Sequence, residues 1–268
     1  MIRAIIIVGL ILFSGLSGCI EKVEDSEELL LATTTSMRDS GLLDELLPAF
    51  EKATGIHVNV VAVGTGAALN LGENGDADLL IVHSPQKEIE FIENGFGTSR
   101  STFAWNRFVL IGPNKLAGFS NASEAFSSLE NECFVSRGDN SGTHIKELEI
   151  WEIADIKPSK DYLSIGQGMA SALNMADELQ CWTLSDKGTW LFRSNELDLE
   201  ATSWDDDLTL NPYSMIQLKG EKSEESLLLH EFIMSFESQE IISNYLINGQ
   251  TLFNAGQPPS NIGSNELK

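Results

Sequence analysis

Apolar residues recur along this chain in two rhythms that alternate. Leu29, Leu30, Leu31 and Ala32 form a short apolar run with the length of a buried strand. Leu43, Leu46, Leu47 and Phe50 then fall at the i, i+3, i+4, i+7 spacing of one buried helix face, and Pro48 inside that stretch predicts a kink or a restart. Gly55 supplies the stop, after which Ile56, Val58 and Val60 alternate with His57 and Asn59 as a half-exposed strand. Gly64, Thr65 and Gly66 turn into a helical Ala67, Ala68, Leu69, and Leu79, Leu80, Ile81 and Val82 form a third, fully apolar strand. This β-α-β-α-β order predicts a mostly parallel sheet with helices on both faces. A guest in such a sheet binds at the carboxyl ends of the strands, beside helix N-termini.

Phe108, Val109, Leu110 and Ile111, followed by Gly112 and Pro113, predict a strand that leaves this first unit. A second α/β unit follows, with a helix start at Gly166-Gln167-Gly168-Met169 and a strand over 181–184. Residues 212–218 read as a return crossing, and helices over 223–236 and 238–248 close back on the first unit. The expected plan is therefore lobe one over 29–112 and 212–257, lobe two over 113–211, and a polar tail over 258–268. No internal repeat is visible.

The chain opens with Met1-Ile2-Arg3, an apolar run over 4–13, and Leu16-Ser17-Gly18-Cys19. One positive residue, an apolar segment too short for a stable span and small residues before a cysteine predict a lipoprotein signal peptide over 1–18. An uncleaved membrane anchor is the alternative. Cys19 is then the lipidated first residue and 19–28 an acidic tether, placing the protein on the outer face of the cytoplasmic membrane. Without residues 1–18 the chain keeps 16 basic residues against 40 acidic ones, a net of −24. A surface this acidic, with no basic patch, disfavours nucleic acid. Any anion must be held by local, enclosed donors, because the long-range field repels it.

Those donors are visible in two places. Ser136-Arg137-Gly138-Asp139-Asn140-Ser141-Gly142-Thr143-His144 ends a strand and opens a helix, where a guanidinium, two hydroxyls and orphan amides favour a negative guest. Thr33-Thr34-Thr35-Ser36 sits at the exit of the first strand, and capping explains only one of its four hydroxyls. Gly64-Thr65-Gly66 is a weak signal alone and gains weight from lying at the next strand exit. The expected anion ligands are Thr34, Thr35, Ser36, Thr65, Gly66, Arg137, Ser141, Gly142 and Thr143. His83 follows the third strand and stands near the expected cleft, while Asp76 and Asp78 read as turn and strand-edge groups. Ser141, His144 and Asp139 lie too close along one segment for a hydrolase triad, and no Gly-x-Ser-x-Gly elbow is present. Cys133 and Cys181 both begin apolar runs and fit either a disulfide or two buried thiols. The scattered histidines show no metal-site spacing, and no cofactor is expected.

Thr33-Thr34-Thr35-Ser36 with Asp39-Ser40-Gly41-Leu42-Leu43, Val61-Ala62-Val63-Gly64-Thr65-Gly66 and Gly75-Asp76-Ala77-Asp78 resembles the tungstate-binding component of the Tup-type ABC importer. Arg137 through His144, the segment 166–177 and Thr183-Leu184-Ser185-Asp186-Lys187-Gly188-Thr189 resemble the same family in order and spacing. The resemblance implies a two-lobed type II periplasmic-binding-protein fold with a hinge and a ligand cleft. It implies a protein, expected as a monomer, that performs no chemistry, captures tungstate and hands it to a membrane permease with a cytoplasmic ATPase; the alternatives are a binding protein for molybdate, phosphate or sulfate, and a sensory lipoprotein with no permease. The only metal expected is the one inside that oxyanion. The lipobox and the heavy acidity depart from the family's soluble members without touching the binding motifs.

Overall fold

The structure, a computed structural model, describes residues 28–158 and 160–259. The signal peptide, Cys19, most of the tether and residues 260–268 of the tail lie outside the described residues. The first half runs β1 (Glu28–Thr34), α1 (Thr35–Asp39), α2 (Leu42–Thr54), β2 (His57–Val63), α3 (Thr65–Asn74), β3 (Leu79–Val82), α4 (Pro85–Glu93) and β4 (Gly97–Gly112). The middle adds α5 (Ala122–Ser127), β5 (Phe134–Ser136), α6 (Gly142–Ile153), β6 (Tyr162–Ser164), α7 (Met169–Leu179), β7 (Thr183–Asp186), α8 (Lys187–Arg193) and β8 (Glu200–Thr202). The return comprises β9 (Leu210–Leu218), α9 (Ser223–Met234), α10 (Phe236–Asn244), the pair β10 (Leu246–Ile247) and β11 (Gln250–Thr251), and β12 (Asn254–Ala255).

The larger sheet has the order β2-β1-β3-β9-β4-β12. β1 lies parallel to β2 and β3, but β9 runs antiparallel to both of its neighbours, β3 and β4, so the sheet is mixed rather than mostly parallel. The return strand causes this: Leu79 to Val82 pair with Gln217 to Ser214 in the opposite sense. The register Thr34 to Val63 and Thr33 to Ile81 brings three strand exits to one edge, which collects Thr34, Gly64 and His83.

β4 is longer than the apolar run predicts. Its 16 residues pair with β9 through Arg107 and with β7 and β8 from Phe108 onward, so one strand passes from the larger sheet into the smaller. Polar residues such as Ser99, Arg100 and Ser101 hide its first half from a hydrophobicity reading, since cross-strand pairing fixes it instead. The smaller sheet adds β5 and β6 in parallel, tied to the chain before β7 by Val135 N–H donating to the Trp182 carbonyl at 2.7 Å. Cys133 and Cys181 flank this junction and form a disulfide, which selects between the two readings of the sequence.

Pro48 does not interrupt α2, which runs unbroken to Thr54, with Leu42, Leu43, Leu46, Leu47 and Phe50 buried. Gly55 closes it at φ 80°, a left-handed conformation open to glycine at no steric cost. One apolar cluster runs from Leu46 and Phe50 through Tyr213, Leu252 and Phe253 to Trp190, Met169 and Val135, and so extends across both lobes. A second, aromatic cluster of Phe108, Phe126, Phe134, Trp151 and Trp182 fills lobe two. Among the described residues no helix is long and apolar enough to cross a membrane.

Candidate anion-binding site

Between the lobes lies a cavity of about 230 Å³ lined by Thr35, Ser36, Arg38 and Asp39 on one side and Arg137, Gly168 to Ser171 and Thr189 on the other. Three helices begin on it: α1 at Thr35, α7 at Met169 and α8 two residues before Thr189. The first amides of a helix have no intrahelical acceptor, so these ends present donors and positive dipole ends to a guest.

On the wall of lobe two, Arg137 leaves β5 almost fully buried, at 8% exposure. Asp139 holds the guanidinium through Nη2 at 2.6 Å and Nε at 3.2 Å. Burial pushes the Asp139 carboxyl up, but bonds from Ser141 and the field of Arg137 more than reverse this and hold it below its ordinary value. The two bonds fix the fork's orientation and leave both hydrogens of Nη1 for another acceptor. The loop reaches this geometry through left-handed residues: Gly138 has φ 62°, and a side chain there would collide with Ser164.

Ser141 caps α6, its Oγ accepting from the His144 N–H at 3.4 Å, while His144 Nδ1 accepts from the Asn140 N–H at 3.0 Å. Serine and histidine therefore each serve the backbone and form no nucleophile and base pair. Thr143 Oγ1 is buried with no hydrogen-bond partner among the described residues. Gly142 abuts lobe one, where a Cβ would come within 3.2 Å of the His83 carbonyl oxygen and 3.3 Å of its ring. Lys87 of α4 also reaches across, donating to the Asn140 carbonyl at 3.3 Å.

Behind the Arg38–Asp39 pair at its rim, the wall of lobe one is a relay of uncharged groups. Thr34 caps α1, its Oγ1 accepting from the Met37 N–H at 3.3 Å, and lies 3.1 Å from Ser36 Oγ. Ser36 Oγ lies 3.0 Å from His83 Nε2, and His83 Nδ1 lies 2.8 Å from Asn211 Oδ1. Asn211 Nδ2 donates to Asn106 Oδ1 at 2.9 Å and to the Tyr213 hydroxyl at 3.1 Å. The His83 ring stacks on Tyr213, with centroids 4.8 Å apart and 16° between planes. Burial pushes His83 below its ordinary pKa, with Arg137 adding to that effect, against the opposing pull of the Asn211 bond and the charges of Asp186 and Glu88.

Thr35, Ser36 and Arg137 thus meet at one cavity, with Thr34 one bond behind. Thr65 is buried at the start of α3, whereas Gly66 lines a different cavity with Leu69, Lys87 and Phe96. Gly142, Ser141 and Thr143 sit at the α6 start, above His83. Arg38, Ser171 and Thr189 line the cleft without having been singled out from sequence, and Arg38 adds a second cation, paired with Asp39 at 2.7 Å. Thr189 owes its place to Asp186, which accepts from its amide at 2.8 Å and its hydroxyl at 2.7 Å.

A mixed sheet of this order, joined by crossing strands to a smaller α/β lobe with a donor-lined cleft between them, defines a type II periplasmic-binding-protein fold. The family model of the PBP superfamily domain matches residues 22–234. The tungstate-binding protein TupA of Peptoclostridium acidaminophilum is 40% identical, with 91% of each chain covered. A putative ABC transporter anion-binding protein of Haloferax volcanii is 41% identical over 85% of this chain and 72% of that one. The solved structure of the tungstate-binding protein TupA from Desulfovibrio alaskensis aligns with a TM-score of 0.77 at 36% identity, covering 87% of this chain and all of that one. The chain belongs to the PBP superfamily and, within it, to the family of Tup-type substrate-binding proteins of ABC transporters, which are solute-binding components and not enzymes.

Proposed function

We propose that this protein captures tungstate outside the cytoplasm and passes it to the permease of an ABC importer. The observation that carries the reading is the cleft itself: a buried, oriented guanidinium faces hydroxyls and three helix starts across 230 Å³. Relatives named for tungstate at 40% and 36% identity support the choice of guest. The proposed shell is Arg137 with Thr34, Thr35, Ser36 and Thr65 from lobe one and Ser141, Gly142 and Thr143 from lobe two, joined by the amides of α7. Gly66 is left out, because it faces another cavity, and Gly142, which lines a separate cavity with His83, joins the shell only on closure. Closure of the lobes about β4 and β9 brings the two half-shells onto one ion, so the ion favours the closed state through contacts absent from the open one.

A large tetrahedral ion reaches donors on both walls that a smaller one cannot contact together, which disfavours sulfate. Where Ser36 presents its hydrogen to the cleft and Asp39 is held by Arg38, the proton of hydrogen phosphate finds no free acceptor, which disfavours phosphate. Lipidation at Cys19 serves the same function by keeping a monomeric carrier beside its permease; Cys19→Ser is expected to release the protein from membranes on fractionation.

Titration calorimetry of residues 19–268 carrying Cys19→Ser, with tungstate, molybdate, sulfate and phosphate at one salt concentration, tests the reading. Tight one-to-one binding of tungstate, with sulfate and phosphate weak, is the expected result. Preference for sulfate or phosphate would overturn the substrate, and absence of any oxyanion binding would overturn the function.

A further inference from the structure

The relay behind Ser36 has a definite sense. Asn211 Nδ2 is already donating to Asn106 and Tyr213, so Asn211 presents its Oδ1 to His83 at 2.8 Å, and an amide oxygen only accepts. His83 Nδ1 must therefore carry the hydrogen. A neutral imidazole then has a bare Nε2, which takes the hydroxyl hydrogen of Ser36 across 3.0 Å. Ser36 Oγ, its own hydrogen spent, accepts from Thr34, 3.1 Å away, and Thr34 accepts from the Met37 amide. The Ser36 hydrogen runs inward to His83 and the Thr34 hydrogen ends on Ser36, so neither points into the cleft and Ser36 shows it only lone-pair character. That face suits a guest with a hydrogen to give and repels a bare dianion.

Resting on the tungstate reading above, we propose that His83 is a specificity-determining positioning residue: it sets whether Ser36 gives or takes a hydrogen bond in the cleft, so that an unprotonated dianion binds together with one proton. The proton enters at Ser36. The hydroxyl hydrogen passes to His83 Nε2, forming the N–H bond, and a solvent proton replaces it on Oγ, so that no other group leaves and no electron moves. The imidazolium now donates from both nitrogens, to Ser36 and to Asn211, and the Ser36 hydrogen points at the guest. The charges that act most on His83 are Glu88 of α4 and Asp186 at the start of α8, which favour the charged ring, and Arg137, which opposes it; Lys146 and Glu149 of α6 and Asp207 line a cavity shared with His83, and Tyr213 and Phe108 stack on it without charge. A dianion in the cleft adds negative charge beside Arg137 and tips the balance toward the imidazolium. With the neutral ring, Ser36 Oγ accepts the hydroxyl of hydrogen phosphate, so preference for tungstate over phosphate narrows as pH rises.

Calorimetry of tungstate binding at pH 7.5 in two buffers of different ionisation enthalpy measures the protons taken up. Uptake approaching about one proton per ion is expected, with affinity falling as pH rises through the window between the free and bound pKa of His83. In the wild-type protein labelled with 15N-histidine, one Nε2 resonance should move from a bare to a protonated nitrogen on saturation with sodium tungstate. In His83→Gln, whose amide donates to Ser36 at every pH, the uptake and the pH dependence should both disappear. Tight tungstate binding with no proton uptake and unmoved histidine resonances would overturn this proposal and leave the carrier function standing. Failure of the wild type to bind tungstate, molybdate or sulfate would instead remove the function and this proposal with it. If His83→Gln does not fold, the wild-type resonances decide alone.

Discussion

The two walls of the cleft face the same guest with opposite means. Lobe two brings a formal charge already set in place: Arg137 is buried, clamped by Asp139, and backed by a disulfide at the base of its strand. Lobe one brings no charge in its inner layer, only Thr34, Ser36, His83 and Asn211 linked end to end. A fixed charge attracts every oxyanion, while a relay of hydrogen bonds responds to how a guest carries its own hydrogens. On the proposed reading, strength of binding and choice of guest are assigned to different lobes.

Breaking the charged wall should have the largest effect. Arg137→Ala removes a charge-assisted donor that Asp139 was built to hold and leaves that carboxylate facing the guest, so tungstate affinity should fall by about 3 kcal/mol, roughly a hundredfold or more, by calorimetry. An unchanged affinity would place the guest elsewhere. Removing the brace tests a different property of the same wall. Replacing Cys133 and Cys181 together by Ala should lower unfolding stability by roughly 2–4 kcal/mol in urea titrations, while tungstate affinity stays within about threefold.

Behind Arg137, the helix α6 carries Glu147, buried and accepting from the Tyr162 hydroxyl at 2.7 Å. Burial raises its pKa to about 7, against the lowering effect of the bond from Tyr162. The fold thus holds a proton that the unfolded chain has released, and the stability this gives is complete below about pH 4.5 and lost as pH rises to about 7. Glu147→Gln should be the more stable protein at pH 8, by roughly 1–3 kcal/mol, and should match the wild type at pH 4; equal thermal melts at both pH values would refute this. The smallest effect belongs to the neutral wall. Ser36→Ala removes one hydroxyl from a shell of many and should weaken tungstate by about 1 kcal/mol, near fivefold, with the loss greater for tungstate than for phosphate.

The charged wall was also the more legible one. Arg137, Ser141, Gly142 and Thr143 stand together in seven residues at a strand-to-helix turn, so one local pattern announces both the donors and their geometry. The neutral wall is written in pieces. His83 and Asn211 are 128 residues apart and meet only because β9 returns antiparallel beside β3, a pairing that no local rhythm encodes. Arg38, Ser171 and Thr189 escaped notice for a related reason: they belong to helix starts whose direction toward the cleft is set by packing. Pro48 misled in the other direction. Its local signal predicted a break, but five buried apolar residues on one face hold α2 together through it.

The apolar cluster that runs from Phe50 through Tyr213 and Phe253 to Trp190 and Val135 makes one flank of the molecule a greased seam. α1 rests against α8 along that flank. Parting the lobes there would wet apolar surface at about 25 cal/mol per Å², so the cluster opposes any opening along this flank. Because the grease thins in the cold, the grip should loosen on cooling.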